Sequence, residues 1–149
     1  MSARAASRLE TLGFRQVYRY QPGRADWFAA GLPREGTDAG TPRAADVAER
    51  DVPTCTVDER VGEVRDRLHR TGSDVCVVVD SQRVVLGLVE GVSAETPPDT
   101  RAGLVMRSNP ITFRPNLPAG QLPDYLKAPA TRLALVTTSD GVLLGLLRR

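Results

Sequence analysis

The sequence predicts an α+β fold made of two copies of one unit, in the order helix, strand, helix, strand, strand. The main observation is a repeat: residues 75–90 read VCVVVDSQRVVLGLVE, residues 133–148 read LALVTTSDGVLLGLLR, and six of the sixteen aligned positions are identical. In each copy, two apolar runs flank a short polar turn, which is typical of two buried strands joined by a hairpin. Repetition at this spacing indicates two supersecondary units that pack against each other.

The same shorter elements precede each hairpin. A helix-compatible stretch leads to an extended segment opened by a proline, and a second helix follows: residues 44–48, 53–57 and 58–70 in the first copy, and residues 101–106, 110–114 and 118–127 in the second. We therefore divide this part of the chain into a first unit at 44–96 and a second unit at 97–149, the second lacking a closing helix.

The second helix of the first unit has a regular apolar face. Val61, Val64 and Leu68 recur at helical spacing, with Asp58 as the expected N-cap and Gly72 as the stop. A histidine near the helix end, at position 69, is expected to be exposed rather than a ligand.

The matching helix of the second unit is interrupted by proline. Pro123 removes a backbone donor and clashes with the preceding turn, so we expect residues 120–127 to bend or restart. Leu122 and Leu126 can still face inward.

An N-terminal extension covers residues 1–35, and a linker at 36–43 joins it to the first unit. The extension is predicted to form three elements: a helix at 2–12, a short strand or extended segment at 14–20 and a helix at 24–30. Aromatic residues, including Trp27 and Phe28, would let it pack as a brace on the repeated units.

The bulk composition excludes several function classes. The chain has 149 residues, with 20 basic and 18 acidic side chains, which is too balanced to indicate a nucleic-acid partner. No apolar run approaches the roughly 20 residues of a membrane span, and the N-terminus has no apolar signal-peptide core. Cys55 and Cys76 lack metal-site spacing and are expected to be buried thiols. A cytoplasmic location is the simplest expectation.

One family resemblance follows from the repeat. Residues 105–113 (VMRSNPITF), followed by a helix and a hairpin ending in Gly-Leu-Leu, resemble the opening of a cystathionine-β-synthase-type (CBS) domain. Residues 46–53 (DVAERDVP) look like a degenerate version of the same opening. The chain from about residue 43 to residue 149 therefore resembles a tandem CBS pair, or Bateman module.

This resemblance implies a regulatory module that binds an adenosine nucleotide (AMP, ADP or ATP) or a related anionic ligand in a cleft between the repeats. We expect no cofactor. The family's Gly-h-x-Ser/Thr-x-x-Asp signature is not matched, because its hydroxyl position falls on Glu90 in one copy and Arg148 in the other. Arg148 could instead pair with phosphate. By register with the family, seven residues are predicted to line the cleft: Thr54, Cys55, Val75, Thr112, Arg132, Leu133 and Arg148.

A second resemblance concerns the extension. Residues 8–18 (RLETLGFRQVY), Gly23, Asp26-Trp27 and residues 30–33 (AGLP) resemble the C-terminal tail of a rhodanese-type sulfurtransferase domain. That family's catalytic cysteine lies upstream of this tail, whereas both cysteines here lie downstream of it. We therefore expect no sulfur transfer and no enzyme activity.

Two functions remain open at this point. The chain is either a stand-alone ligand-binding module that signals in trans to a protein partner, or an oligomeric structural module with a ligand-free cleft. The resemblance implies a homodimer formed through the CBS helices. An open cleft lined by Arg132 or Arg148 would favour the first function, and a large apolar dimer interface would favour the second.

Overall fold

The computed structural model describes residues 3–93, 95–127 and 131–149, and it confirms the predicted α+β class. Two sheets pack face to face. The first sheet contains four strands in the order β1-β2-β3-β4, at Thr54–Cys55, Val75–Val79, Val85–Glu90 and Arg107–Ser108. The second sheet contains three strands in the order β5-β6-β7, at Thr112–Phe113, Leu133–Thr137 and Leu143–Arg148.

Short helices complete the two units and the extension. Within the described residues they are α1 (Ala3–Thr11), α2 (Arg24–Ala29), α3 (Ala44–Val47), α4 (Val61–Thr71), α5 (Ala102–Val105) and α6 (Leu122–Leu126). The first unit has the predicted order of helix, strand, helix, strand, strand, and the second has the same order with one additional short strand, β4, between α5 and β5.

Both predicted hairpins are confirmed. Strand β2 is antiparallel to β3, and β6 is antiparallel to β7, with a register shift at the equivalent place in each pair. The short first strands, β1 and β5, lie parallel to β2 and β6. The prolines that open the first-strand segments therefore lie at sheet edges, where a missing backbone donor costs least.

The central strands are apolar along their whole length because both of their faces are buried. Val75 and Val77 belong to one apolar cluster with Leu133 and Leu135 of the other sheet. Cys76, between the two valines, belongs to a second cluster on the side of α4. The alternation of a strand therefore places successive residues in two different cores rather than in a core and in solvent.

Helix α4 has the predicted apolar face but a different start. Val61, Val64 and Leu68 are buried, and Gly72 ends the helix with a left-handed φ of 65°. The prediction of Asp58 as N-cap is wrong, because the capping position is two residues later.

The chain turns once more before α4 begins. The Thr56 backbone N–H donates to Oε1 of Glu59 at 2.9 Å, and the Arg60 N–H donates to Oε2 of Glu63 at 3.4 Å. Asp58 is left to pair with Arg101 at 3.1 Å. Glutamate side chains, and not Asp58, therefore accept the backbone N–H groups at the start of α4. The histidine near the end of α4 is exposed, as predicted.

The second unit restarts its helix, as predicted. A 3₁₀ turn at Ala119–Gln121 precedes α6, and Pro123 lies in the first turn of α6. Leu122 and Leu126 are buried. A proline in a first helical turn removes a donor that has no helical acceptor, so the restart accommodates it.

The N-terminal extension has both predicted helices but lacks the predicted strand. No strand is assigned within residues 14–20, and Phe14 and Tyr18 are largely exposed. Alternating polarity produces a strand only where a neighbouring strand offers a free edge, and none of the strands in the described ranges pairs with this segment. Tyr20 instead packs edge-on against Trp27, with ring centroids 5.1 Å apart.

The two units are joined by backbone pairing. Glu49, just before β1, exchanges two backbone hydrogen bonds of 2.8 Å with Leu146 in β7. The equivalent segment of the second unit, β4, pairs with β3 of the first unit. The hairpin turns also meet, since Val85 N–H donates to the Gly141 carbonyl at 3.0 Å. In each unit, the segment before the first strand therefore pairs with the last strand of the other unit's hairpin.

Candidate functional site at the junction of the two repeats

Four of the seven predicted site residues meet at the open ends of the two hairpins. Leu133 and Arg148 are strand partners, at the start of β6 and the end of β7. Arg132 directly precedes Leu133. Val75 begins β2 and follows Asp74, which the Arg148 side chain contacts.

Arg148 links the second repeat to the first. Its Nη1 donates to Oδ1 of Asp74 at 2.5 Å, its Nε donates to Oε2 of Glu49 at 3.3 Å, and its Nη2 donates to Oγ of Ser73 at 3.3 Å. We call these four residues the repeat junction. The Arg148 side chain is 37% exposed, so solvent reaches it. An anion that binds Arg148 through two hydrogen bonds therefore competes with Asp74 and Glu49 for the same guanidinium.

The electrostatics of the repeat junction stabilise the ion pair. The hydrogen bond from Arg148 lowers the pKa of Asp74 below its ordinary value of 3.8. The same bond raises the pKa of the Arg148 guanidinium. Both groups are therefore charged at neutral pH, and the pair is present there in full.

A second ion pair between the repeats has its charges exchanged. Arg107 in β4 donates to Glu90 at the end of β3 at 2.9 Å, and Glu90 is the strand partner of Val75. In the repeat alignment, Glu90 is equivalent to Arg148, and Arg107 is equivalent to Glu49. Both positions at which the CBS signature places a hydroxyl thus hold one member of an inter-repeat ion pair.

The two signature positions follow from the sequence, but their ion-pair partners do not. A signal for the pairing is present, because the charges at positions 49 and 107 are opposite and so are those at positions 90 and 148. The partners become visible only in the fold, where Glu49 lies beside β7 and Arg107 lies beside β3.

The other three predicted residues lie elsewhere. Thr54 and Cys55 pair with Val77 and Val78, beside the middle of β2 rather than at its start. The Thr54 carbonyl accepts a short hydrogen bond from Arg67, and Cys55 is buried. Thr112 is exposed on β5 and lines a separate cavity.

That cavity lies between the repeats on the side of the hairpin turns. It has a volume of about 350 Å³, and Leu86 of the first repeat faces Thr112, Arg114 and Asp140 of the second across it. Arg114 Nη1 donates to the Thr138 carbonyl at 2.5 Å. The cavity therefore offers a hydroxyl, a cation and a carboxylate, the kinds of polar group that orient small ligands.

The two cysteines are a buried pair in the first repeat. Both thiols are free and lie in the same apolar cluster. The hydrogen bond with Cys76 and, secondly, burial raise the pKa of Cys55 far above its ordinary value. Within the described part of the chain, no three His, Cys, Asp or Glu residues are placed to hold a metal ion. None of the described helices combines the length and apolarity needed to cross a membrane.

Comparison with protein families supports the first repeat directly. The CBS domain model matches residues 44–90, which run from α3 to the end of β3. The CBS resemblance is thereby confirmed for this repeat. None of the curated proteins matches the sequence significantly.

Solved structures match about 72% of the chain. The CBS domains of a transcriptional regulator from Streptococcus pneumoniae align with 18% identity and a TM-score of 0.64, covering 72% of this chain and 92% of that one. The structure of CBSX2 in complex with AMP aligns with 17% identity and a TM-score of 0.63, covering 72% and 90%. The cytosolic domain of the Mg²⁺ channel MgtE in complex with ATP aligns with 17% identity and a TM-score of 0.64, covering 72% and 46%. The fold is thus that of CBS-domain proteins.

Proposed function

We propose that this chain is a non-catalytic regulatory module that binds an adenosine nucleotide, or a related organic anion, between its repeats and signals in trans to a separate protein. The observation that carries the proposal is the repeat junction, where one arginine of the second repeat holds Glu49 and Asp74 of the first. A phosphate that replaces these carboxylates changes the contact between the repeats. Ligand occupancy is thereby coupled to their arrangement.

The chemistry of the junction suits an anion. A guanidinium binds phosphate through two parallel hydrogen bonds, as it binds a carboxylate. Arg132 supplies a second exposed cation beside the junction, and Val75 and Leu133 form the apolar ends of the adjacent strands. In this proposal Thr54, Cys55 and Thr112 are outlying contacts.

The structural neighbours support the choice of ligand class. CBSX2 is described in complex with AMP, and the MgtE cytosolic domain in complex with ATP. The non-catalytic part of the proposal is supported by the cysteines, since a nucleophilic thiolate needs an exposed, electropositive setting. Both thiols here are buried.

The test is a thermal-shift panel on the purified chain with AMP, ADP, ATP, NADH, S-adenosylmethionine and phosphate. A ligand at 100 times its dissociation constant stabilises the folded state by about 2.7 kcal/mol, which raises the melting temperature of a domain of this size by several degrees. We expect a shift with at least one nucleotide. We expect the shift to disappear in Arg148→Gln and to persist in the neighbouring control, Arg149→Gln.

A further variant separates ligand binding from repeat pairing. Asp74→Asn releases Arg148 from its closest carboxylate, so nucleotide affinity should rise if the anion competes with Asp74. An unchanged or lower affinity in Asp74→Asn would contradict the competition mechanism.

The two ion pairs between the repeats favour a second candidate function, an oligomeric structural module. Pairs at both signature positions, Arg148 with Glu49 and Glu90 with Arg107, can close the two clefts without any ligand. In that case no nucleotide shifts the melting temperature, and light scattering after size-exclusion chromatography shows a homodimer. A monomer with a nucleotide-dependent shift would exclude this candidate.

A further inference from the structure

Arg43 is a buried cation that forms no ion pair with any carboxylate among the described residues. The residue is only 8% exposed, and its Nε–H finds no acceptor within the described part of the chain. The nearby Asp46 is already engaged, since its Oδ2 accepts from the Arg43 backbone N–H at 2.9 Å and from Arg34 at 3.2 Å. The Arg43 guanidinium lies 5.6 Å from the centre of the Phe28 ring. Burial of an unpaired charge is costly, so a group that balances it is expected here.

Two open cavities meet at Arg43 and Arg24. The first, of about 540 Å³, is lined mainly by the extension and includes Glu35 and Asp38. The second, of about 490 Å³, lies between the extension and the second repeat. Arg114 is the third arginine on its wall, and none of the described residues that line it is acidic. The second cavity therefore has a positive wall, and its size is typical of small-molecule sites.

The same cavity presents two aromatic rings. Phe113 and Tyr125 lie with ring centroids 5.5 Å apart and a tilt of 51°, and both line the cavity. Tyr125 is 52% exposed, although a large aromatic side chain gains free energy from burial. A planar group placed against these rings would reduce that exposure.

We propose that this cavity, the Arg43 site, binds a small organic anion that carries a phosphate or carboxylate on a planar ring. The anionic group lies between Arg43 and Arg24, and the ring lies against Phe113 and Tyr125. The site contains none of the four residues of the repeat junction, and the residue that it has in common with the predicted nucleotide contacts is Thr112. Its binding can therefore be measured separately from nucleotide binding at Arg148.

The test is isothermal titration of the full chain with phenyl phosphate, benzoate, inorganic phosphate and benzyl alcohol. We expect phenyl phosphate or benzoate to bind more tightly than phosphate, which lacks the ring, and than benzyl alcohol, which lacks the charge. Arg43→Met should weaken the binding by about tenfold or more, the loss expected for one charge-assisted pair. Arg24→Gln, at an exposed position, should weaken it without altering the fold, and Arg15→Gln is the matched exposed control.

The ligand-free melting temperature gives an independent readout. A buried charge without a bound counter-ion destabilises the ligand-free protein. Arg43→Met removes this charge, so its melting temperature should equal or exceed that of the parent. The nucleotide response of the repeat junction should persist in this variant. Lack of binding by both ring-bearing anions, equal binding by Arg24→Gln, or a clear drop in the melting temperature of ligand-free Arg43→Met would each overturn the proposal.

Discussion

The two repeats share the same hairpin but differ in their helices. They also carry opposite charges at the aligned positions 49 and 107 and at the aligned positions 90 and 148. Their hairpins align residue for residue, and even the register shifts fall at equivalent positions. In contrast, the first repeat has an eleven-residue helix, α4, where the second has a 3₁₀ turn followed by the five-residue α6. The inner sheets are fixed by mutual packing, because each strand face contacts either the other sheet or a helix. The outer helices have one free face and tolerate more change.

The difference between the helices is tested by introducing a proline into α4 and removing the proline from α6. The first of these changes should have the largest effect on stability. Arg65, in the middle of α4, is equivalent to Pro123 in the first turn of α6. Arg65→Pro should lower the free energy of unfolding by about 3 kcal/mol or more, because it removes a helical hydrogen bond and clashes with the preceding turn. Pro123→Ala should change it by less than about 1 kcal/mol, because proline is tolerated at a helix start. Urea denaturation measures both.

Arg65→Ala is the control for the lost side chain, whose Nη2 donates to the Ser93 and Thr96 carbonyls. An Arg65→Pro variant no less stable than Arg65→Ala would show that α4 is as adaptable as α6.

Glycine substitutions test how closely each repeat's segment packs on the sheet of the other repeat. We expect an intermediate loss of stability. A Cβ at Gly145 would lie 2.7 Å from the Glu49 carbonyl oxygen, and a Cβ at Gly87 would lie 2.9 Å from that of Arg107. Each alanine variant should lose about 1–3 kcal/mol of stability through overpacking. Gly120→Ala, with no atom within 4 Å of the added Cβ, is the control and should be near neutral in chemical denaturation. Equal stability of the three variants would contradict the close approach of the repeats.

The smallest expected effect concerns the Asp74–Arg148 pair. Asp74 is largely exposed, so Asp74→Asn should cost less than about 1 kcal/mol in the absence of ligand. Because the pKa of Asp74 is lowered in the folded state, the pair stabilises the fold at neutral pH and above the ordinary value of 3.8. This contribution is lost as pH falls through the lowered pKa.

The measurement is the stability difference between parent and Asp74→Asn, taken from neutral pH down to below 3.8. The difference should shrink at the acidic end. A constant difference over the whole range would show that Asp74 acts through packing and not through its charge.

The sequence predicts what depends on local pattern and misses what depends on distant partners. The hairpins, the restart at Pro123 and the stop at Gly72 follow from apolar runs and backbone constraints, which are local. The failed strand at 14–20 shows the limit, since a strand needs a partner that no local pattern supplies. The pairing of Arg148 with Asp74 joins residues 74 positions apart, and only the fold brings them together. The CBS resemblance itself came from an ordered series of elements, and the family match covers the first repeat.

The segment exchange between the repeats also has a consequence during synthesis. Glu49 leaves the ribosome almost a hundred residues before Leu146, its backbone partner. At ordinary translation rates this interval is roughly 5–20 s. During that time the apolar inner face of the first sheet, including Val77 and Leu88, has no second sheet to cover it. The nascent first repeat therefore has an uncovered apolar face, a feature that favours aggregation, until β7 has been synthesised.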